Sequence, residues 1–220
     1  MIIFTIVYPK NDRLVVNVSE AIYRRFGVRP DLSSRVAVQK CYGSGFDLVR
    51  NRNSNVPLTT ELIGVWGITT EDVFQNYILG RPKSQLRIEG RLDFSKCRVS
   101  VLGKAYGRDI SRVFGDVFPP DGNGTRIATT RSYRNLALNY FERLGANQVE
   151  VITDWDGELE FLVAKGLADF IVDSVETGKS RDANALTEYD KIMDSRAIWI
   201  LDSEKLFQRF GVDQYEIPNC

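Results

Sequence analysis

Along this chain the apolar positions switch between short continuous runs and stretches repeating near every 3.6 residues, which predicts strands alternating with helices. Residues 2–8 (IIFTIVY) read as a first buried strand. Leu14 to Phe26 follows as a helix, with Val18, Ile22 and Phe26 on one face and Gly27 as its C-terminal stop. Glu71 to Leu79 predicts a helix that turns Val73, Phe74, Tyr77 and Ile78 inward, and Arg98 to Leu102 predicts a strand. A turn-rich loop with Pro119, Pro120, Gly122 and Gly124 precedes a strand at Arg126 to Thr129. Leu136, Tyr140, Phe141 and Leu144 form the stripe of the next helix, which Gly145 ends. Val149 to Thr153 reads as a strand. Asp156 is placed to cap a helix from about Glu158 to Lys165, burying Leu159, Leu162 and Val163. Ala168 to Val172 and Ala197 to Leu201 are further buried strands, and Ser203 caps a last helix bearing Leu206, Phe207 and Phe210. This alternation is the pattern of an α/β fold built on parallel sheet.

Composition narrows the chemistry. The 220 residues suffice for one large domain or two small lobes. Lys plus Arg and Asp plus Glu are each 29, so the formal charge is zero and the basic excess of a general nucleic-acid binder is missing. No run approaches the roughly 20 apolar residues of a membrane span. The apolar start is also too short for a signal peptide, so a soluble, cytoplasmic protein is expected. Cys41, Cys97 and Cys220 are widely spaced and odd in number, which suits a reducing compartment. The chain contains no histidine, which removes Ser-His-Asp and Cys-His nucleophile schemes and the commonest metal ligand. Catalysis must then use carboxylates, Lys, Arg, backbone amides or a metal carried in by the substrate, and no protein metal site is expected.

The most informative stretch is Asp169 to Ser180, DFIVDSVETGKS. A buried strand ends at Asp173, and Thr177-Gly178-Lys179-Ser180 turns into a helix start. Gly178 permits φ above zero, so that successive amides converge, and the Thr177 and Ser180 hydroxyls add donors. Asp169 and Asp173, just upstream, suit the two hydroxyls of a sugar. The stretch thus fits a ligand with a dianion at one end and a diol at the other. A nucleotide P-loop is excluded because position 173, where it needs glycine, is aspartate. A plain strand–turn–helix connection remains open on the loop alone.

The surroundings extend that reading. Residues 126–145 (RIATTRSYRNLALNYFERLG), 157–173 (GELEFLVAKGLADFIVD) and 175–186 (VETGKSRDANAL) resemble, in order and spacing, the catalytic core of ATP phosphoribosyltransferase. Ser195-Arg196-Ala197 matches a Ser-x-Ala that precedes the family's return strand. Tyr8-Pro9-Lys10-Asn11-Asp12-Arg13-Leu14 looks like a diverged Pro-Lys-Gly-Arg-Leu, and Ser34-Arg35, Leu48-Val49-Arg50 and Gly67-Ile68-Thr69 have counterparts too. The chain departs from the pattern at Asn11-Asp12, at Asn55-Val56-Pro57, at Val65-Trp66 and at Ser180-Arg181, where the family has Thr-Leu.

The resemblance implies a two-lobed, periplasmic-binding-protein-like (type II) α/β fold with a double crossover. Residues 1–96 plus 184–220 would form one lobe and 97–183 the other, with the ligand site at their junction. It implies transfer of phosphoribose from phosphoribosyl pyrophosphate to N1 of ATP, the entry step of histidine biosynthesis, with Mg²⁺ carried by pyrophosphate. Thr177, Gly178, Lys179 and Ser180 would hold the 5-phosphate. Asp169 and Asp173 would fix the ribose hydroxyls, Glu160 stands at the family's Gly-x-x-Glu position, and Lys10, Arg13, Arg35 and Arg50 would meet nucleotide and pyrophosphate charge. The length suits the short form, which implies a regulatory subunit resembling histidyl-tRNA synthetase and an oligomeric assembly. The diverged N-terminal motifs leave an alternative: a catalytically silent or acceptor-shifted relative acting as a phosphoribosyl- or nucleotide-binding or regulatory protein.

Overall fold

The computed structural model describes residues 4–10, 12–107, 109, 110, 113, 123–146, 148–155 and 157–210, with the side chains of 12–14, 209 and 210 outside the description. The predicted Asp156 cap, the Pro119–Gly122 part of the turn-rich loop and Cys220 lie outside the described residues. The chain divides into two compact units, one of Met1–Phe74, Arg81–Ser95 and Arg196–Cys220, the other of Gln75–Gly80 and Lys96–Ser195.

The first unit is built on a six-stranded sheet. Its elements are β1 (Phe4–Pro9), α1 (Asp12–Phe26), β2 (Val38–Cys41), β3 (Phe46–Asn51), α2 (Val56–Leu62) and β4 (Trp66–Thr70), followed by the start of α3 (Glu71–Gly80) and then β5 (Leu86–Arg91). The strand order is β2-β3-β1-β4-β11-β5, where β11 (Ala197–Asp202) is the returning strand. β1 runs parallel to β3 and β4, while β2 and β11 are antiparallel to their neighbours. β4 and β11 are buried at every residue, which is why AIWIL reads as an unbroken apolar run. Val18 and Ile22 of α1 pack with Ile6, Tyr8, Leu48, Trp66, Ile68, Trp199 and Leu201. Each such side chain, fully buried, contributes about 1.5–3 kcal/mol. Gly67 lets α2 approach the sheet closely: a Cβ there would lie 2.4 Å from Thr60 Oγ1 and 3.1 Å from Val56 Cγ1. The last helix, α7 (Ser203–Phe210), is capped from one residue earlier than Ser203. The buried Asp202 accepts a hydrogen bond from the Lys205 amide at 3.0 Å.

The second unit carries β6 (Cys97–Gly103), β7 (Arg126–Thr129), α4 (Arg134–Arg143), β8 (Glu150–Ile152), α5 (Leu159–Ala164), β9 (Phe170–Val175), α6 (Lys179–Ala183) and β10 (Thr187–Ser195). Its sheet has the order β10-β6-β9-β7-β8, with β7, β8 and β9 parallel and β6 and β10 antiparallel. β9 is central, and its alternating side chains divide two cores. Phe170 and Val172 pack with Ala137 and Phe141 of α4 on one face. Ile171 and Val175 pack with Leu159, Leu162 and Val163 of α5 on the other. The first turn of α4 is satisfied by Asn76, whose Oδ1 accepts from the amides of Asn135 (2.8 Å) and Leu136 (3.3 Å).

Two expected boundaries differ. β9 continues past Asp173 to Val175, so Asp173 lies within the strand. The chain leaves the second unit after Ser195, because residues 187–195 pair with β6 over its whole length. The expected lobe boundary at 183/184 cuts this pairing off.

Candidate active site

The candidate site grows from the C-terminal end of β9, the position where parallel α/β sheets present ligand-binding loops. After Val175 the chain passes Glu176 and Thr177 and reaches Gly178, which sits in the left-handed region at φ 79°, ψ 1° and starts α6. A side-chain-bearing residue is disfavoured there by roughly 1–2 kcal/mol. Thr177, Lys179 and Ser180 are exposed, while Gly178 between them is buried. A left-handed residue followed by helical ones turns successive amides to one side, a concavity suited to an anion.

Two carboxylates flank this turn. Glu160, in the first turn of α5, accepts a hydrogen bond from Ser180 Oγ at 2.5 Å. Asp173 has the strand parity of Ile171 and Val175, so its side chain lies on the sheet face that α5 covers. Its Oδ1 accepts from the Ser174 amide at 2.7 Å. The structure therefore brings Thr177, Gly178, Lys179, Ser180, Glu160 and Asp173 to one end of one sheet.

Asp169 is elsewhere. It precedes β9, its Oδ2 accepts from the Arg126 amide at 2.8 Å, and its Oδ1 stands 3.8 Å from Arg126 Nη2. Four residue steps of extended strand separate it from Asp173, about 13 Å at 3.3 Å per residue. It ties the start of β9 to the start of β7, and the expectation that it shares a sugar diol with Asp173 is corrected on that ground.

The N-terminal candidates belong to the first unit. Lys10 is exposed at the end of β1, its amide bonded to the Asn51 carbonyl at 2.7 Å. Arg35 is exposed in the segment before β2. Arg50, on β3 opposite Tyr8, donates from Nη1 to the Ser34 carbonyl at 2.8 Å, and its buried Nε has no hydrogen-bond partner among the described residues. The side chain of Arg13 lies outside the described residues.

Sequence reasoning missed the charged cluster beside the loop. Glu188 of β10 accepts two hydrogen bonds from Arg98 of β6 (2.5 and 2.7 Å), one from Ser100 Oγ (2.7 Å) and one from Arg181 of α6 (2.8 Å). The Arg98 hydrogen bond, with those of Ser100 and Arg181 behind it, holds the Glu188 carboxyl down to about 2. Only the departure at Ser180-Arg181 marked the region in the sequence. The Glu188 contact with Arg98 reaches across 90 residues.

A central strand followed by a glycine-centred turn, within two mixed sheets, one of them completed by a returning strand, defines an α/β protein of the type II periplasmic-binding-protein-like class. Two solved structures share that fold. The ATP phosphoribosyl transferase (HisG:HisZ) complex from Thermotoga maritima is similar with a TM-score of 0.71 and 24% identity, over 95% of this chain and 91% of that one. The MOPS-bound alkanesulfonate-binding protein SsuA from Xanthomonas axonopodis pv. citri is similar at 0.52 and 12%, over 94% and 68%. The family described as ATP phosphoribosyltransferase matches residues 56–215. A curated ATP phosphoribosyltransferase from Thermococcus gammatolerans is 37% identical over 178 residues, 80% of this chain and 77% of the relative. The chain belongs to the ATP phosphoribosyltransferase family.

Proposed function

We propose that this protein transfers the phosphoribosyl group of phosphoribosyl pyrophosphate to N1 of ATP, releasing pyrophosphate, as the first step of histidine biosynthesis. The observation that carries the reading is the turn at Thr177–Ser180 in a chain of this family, with Gly178 left-handed at the end of the central strand and Glu160 against Ser180. The N1–C1′ bond forms as the bond from C1′ to pyrophosphate oxygen breaks. Positive charge develops on the sugar and negative charge on the leaving group, so catalysis is positioning and electrostatics.

The amides of Gly178, Lys179 and Ser180 and the Thr177 and Ser180 hydroxyls hold the 5-phosphate. On binding, Ser180 turns its hydroxyl from Glu160 to the phosphate. That frees the Glu160 carboxylate, with Asp173, to accept from the 2- and 3-hydroxyls and to steady the developing positive sugar. Lys179 adds a mobile cation. Mg²⁺ enters as part of the pyrophosphate substrate. Lys10, Arg13, Arg35 and Arg50 are the cations of the other unit assigned to nucleotide and pyrophosphate charge. The protein works in the cytoplasm, in an oligomer with a regulatory subunit resembling histidyl-tRNA synthetase. No helix among the described residues is long and apolar enough to cross a membrane.

The test is direct: mix the protein with ATP, phosphoribosyl pyrophosphate, Mg²⁺ and the regulatory subunit, and follow the ultraviolet absorbance of phosphoribosyl-ATP. Steady product formation is expected. No product beside a competent family member would overturn the assignment.

A further inference from the structure

Resting on the phosphate-loop reading, we infer that Arg181 is a positioning residue for that loop, acting through Gly178 and anchored by Glu188. Gly178 is buried although its neighbours are exposed, and what covers it is the Arg181 guanidinium. A Cβ built on Gly178 would lie 2.9 Å from Nη2, 3.2 Å from Cζ and 3.6 Å from Nε of Arg181. The guanidinium thus fills the space a side chain would take and covers the left-handed turn at Gly178.

That guanidinium is held by two carboxylates. Nε donates to Asp182 Oδ1 at 2.8 Å, Nη2 stands 2.7 Å from the same oxygen as an ion pair, and Nη1 donates to Glu188 Oε2 at 2.8 Å. Glu188 is itself gripped by Arg98 and Ser100 of β6, the strand paired with β9. The path from rigid sheet to loop is short: β6 holds Glu188, Glu188 holds Arg181, and Arg181 holds the Gly178 turn. A planar fork with five donors is the one side chain that can meet two carboxylates while covering a glycine. Lysine, a point charge, keeps the ion pair and loses the cover. Without the cover the turn samples other conformations, and affinity for a phosphate ester falls in proportion to the fraction of time the loop is competent.

The proposal separates two substrates. Arg181→Met is predicted to weaken binding of phosphoribosyl pyrophosphate, and of ribose 5-phosphate, by about tenfold in calorimetry, while ATP affinity stays within about twofold. Arg181→Lys recovers part of the loss, and Glu188→Gln shifts binding in the same direction by less. Glu188→Gln also serves where Arg181→Met does not fold. Gly178→Ala is the control for the loop itself. If Gly178→Ala weakens ribose 5-phosphate binding while the Arg181 and Glu188 variants bind like the parent, the proposal fails and the loop reading stands. If Gly178→Ala leaves binding unchanged, the loop reading fails and takes the proposal with it. Equal loss of ATP and phosphoribosyl pyrophosphate affinity with a lowered Tm would make Arg181 merely structural, which also overturns the proposal.

Discussion

Replacing Glu188 by glutamine gives a stability signature with a defined pH window. In the folded protein the carboxyl is held at about 2 by Arg98, Ser100 and Arg181, against an ordinary value of 4.5. A depressed folded value means that the ionised group stabilises the fold above pH 4.5, and that this stabilisation is lost as the pH falls toward 2. At 1.36 kcal/mol per pKa unit the ceiling is about 3 kcal/mol. Glu188 is 17% exposed and Arg98 31%, so solvent screening reduces the expected contribution to about 2 kcal/mol. Glu188→Gln also leaves two guanidinium groups facing each other without their shared anion, a change of the same sign. Urea unfolding by circular dichroism should therefore put the variant about 2 kcal/mol below the parent at pH 7, with that gap less than half as large by about pH 3. Glu20 and Asp31 are also held low, by Arg24 and Ser33, but they titrate alike in both proteins and cancel in the difference. A gap that stays constant from pH 7 to pH 3 would mean that Glu188 is not held ionised by its guanidinium partners.

Two further predictions concern the first unit. Gly67→Ala drives a methyl to within 2.4 Å of Thr60 Oγ1 and 3.0 Å of Ile200 Cγ1, and should lower stability by about 1–3 kcal/mol in urea unfolding; an unchanged midpoint would mean that α2 does not press on β4. Asp202→Ala removes the cap on the Lys205 amide and should cost about 1 kcal/mol, with faster amide exchange at the start of α7.

What the sequence disclosed follows from where structure is local. Arg126–Thr129 was legible residue for residue because an apolar strand is bounded by polar turns on both sides. The helices with one apolar face, α1, α3 and α4, were legible too. β10 was not: TEYDKIMDS is an edge strand whose polar residues alternate irregularly, and two register shifts in its pairing break the period. β2 is only four residues, and α2 is seven residues entered through Pro57, both too short to show a period. At the site, the glycine turn could be read because its chemistry lies in consecutive residues. Asp169 was misassigned because nearness in sequence hides the length of the strand between it and the loop. The Arg181–Glu188–Arg98 cluster stayed hidden because strand pairing, not spacing, assembles it.

In the proposed reaction the turn at Thr177–Ser180 receives a 5-phosphate while Glu160 and Asp173 receive the sugar. A crystal structure of the protein with phosphoribosyl pyrophosphate and Mg²⁺ tests it most directly. Phosphate oxygens should lie about 3 Å from the amides of Gly178, Lys179 and Ser180, with ribose hydroxyls on the two carboxylates. A fully occupied ligand whose 5-phosphate lies anywhere else would contradict it.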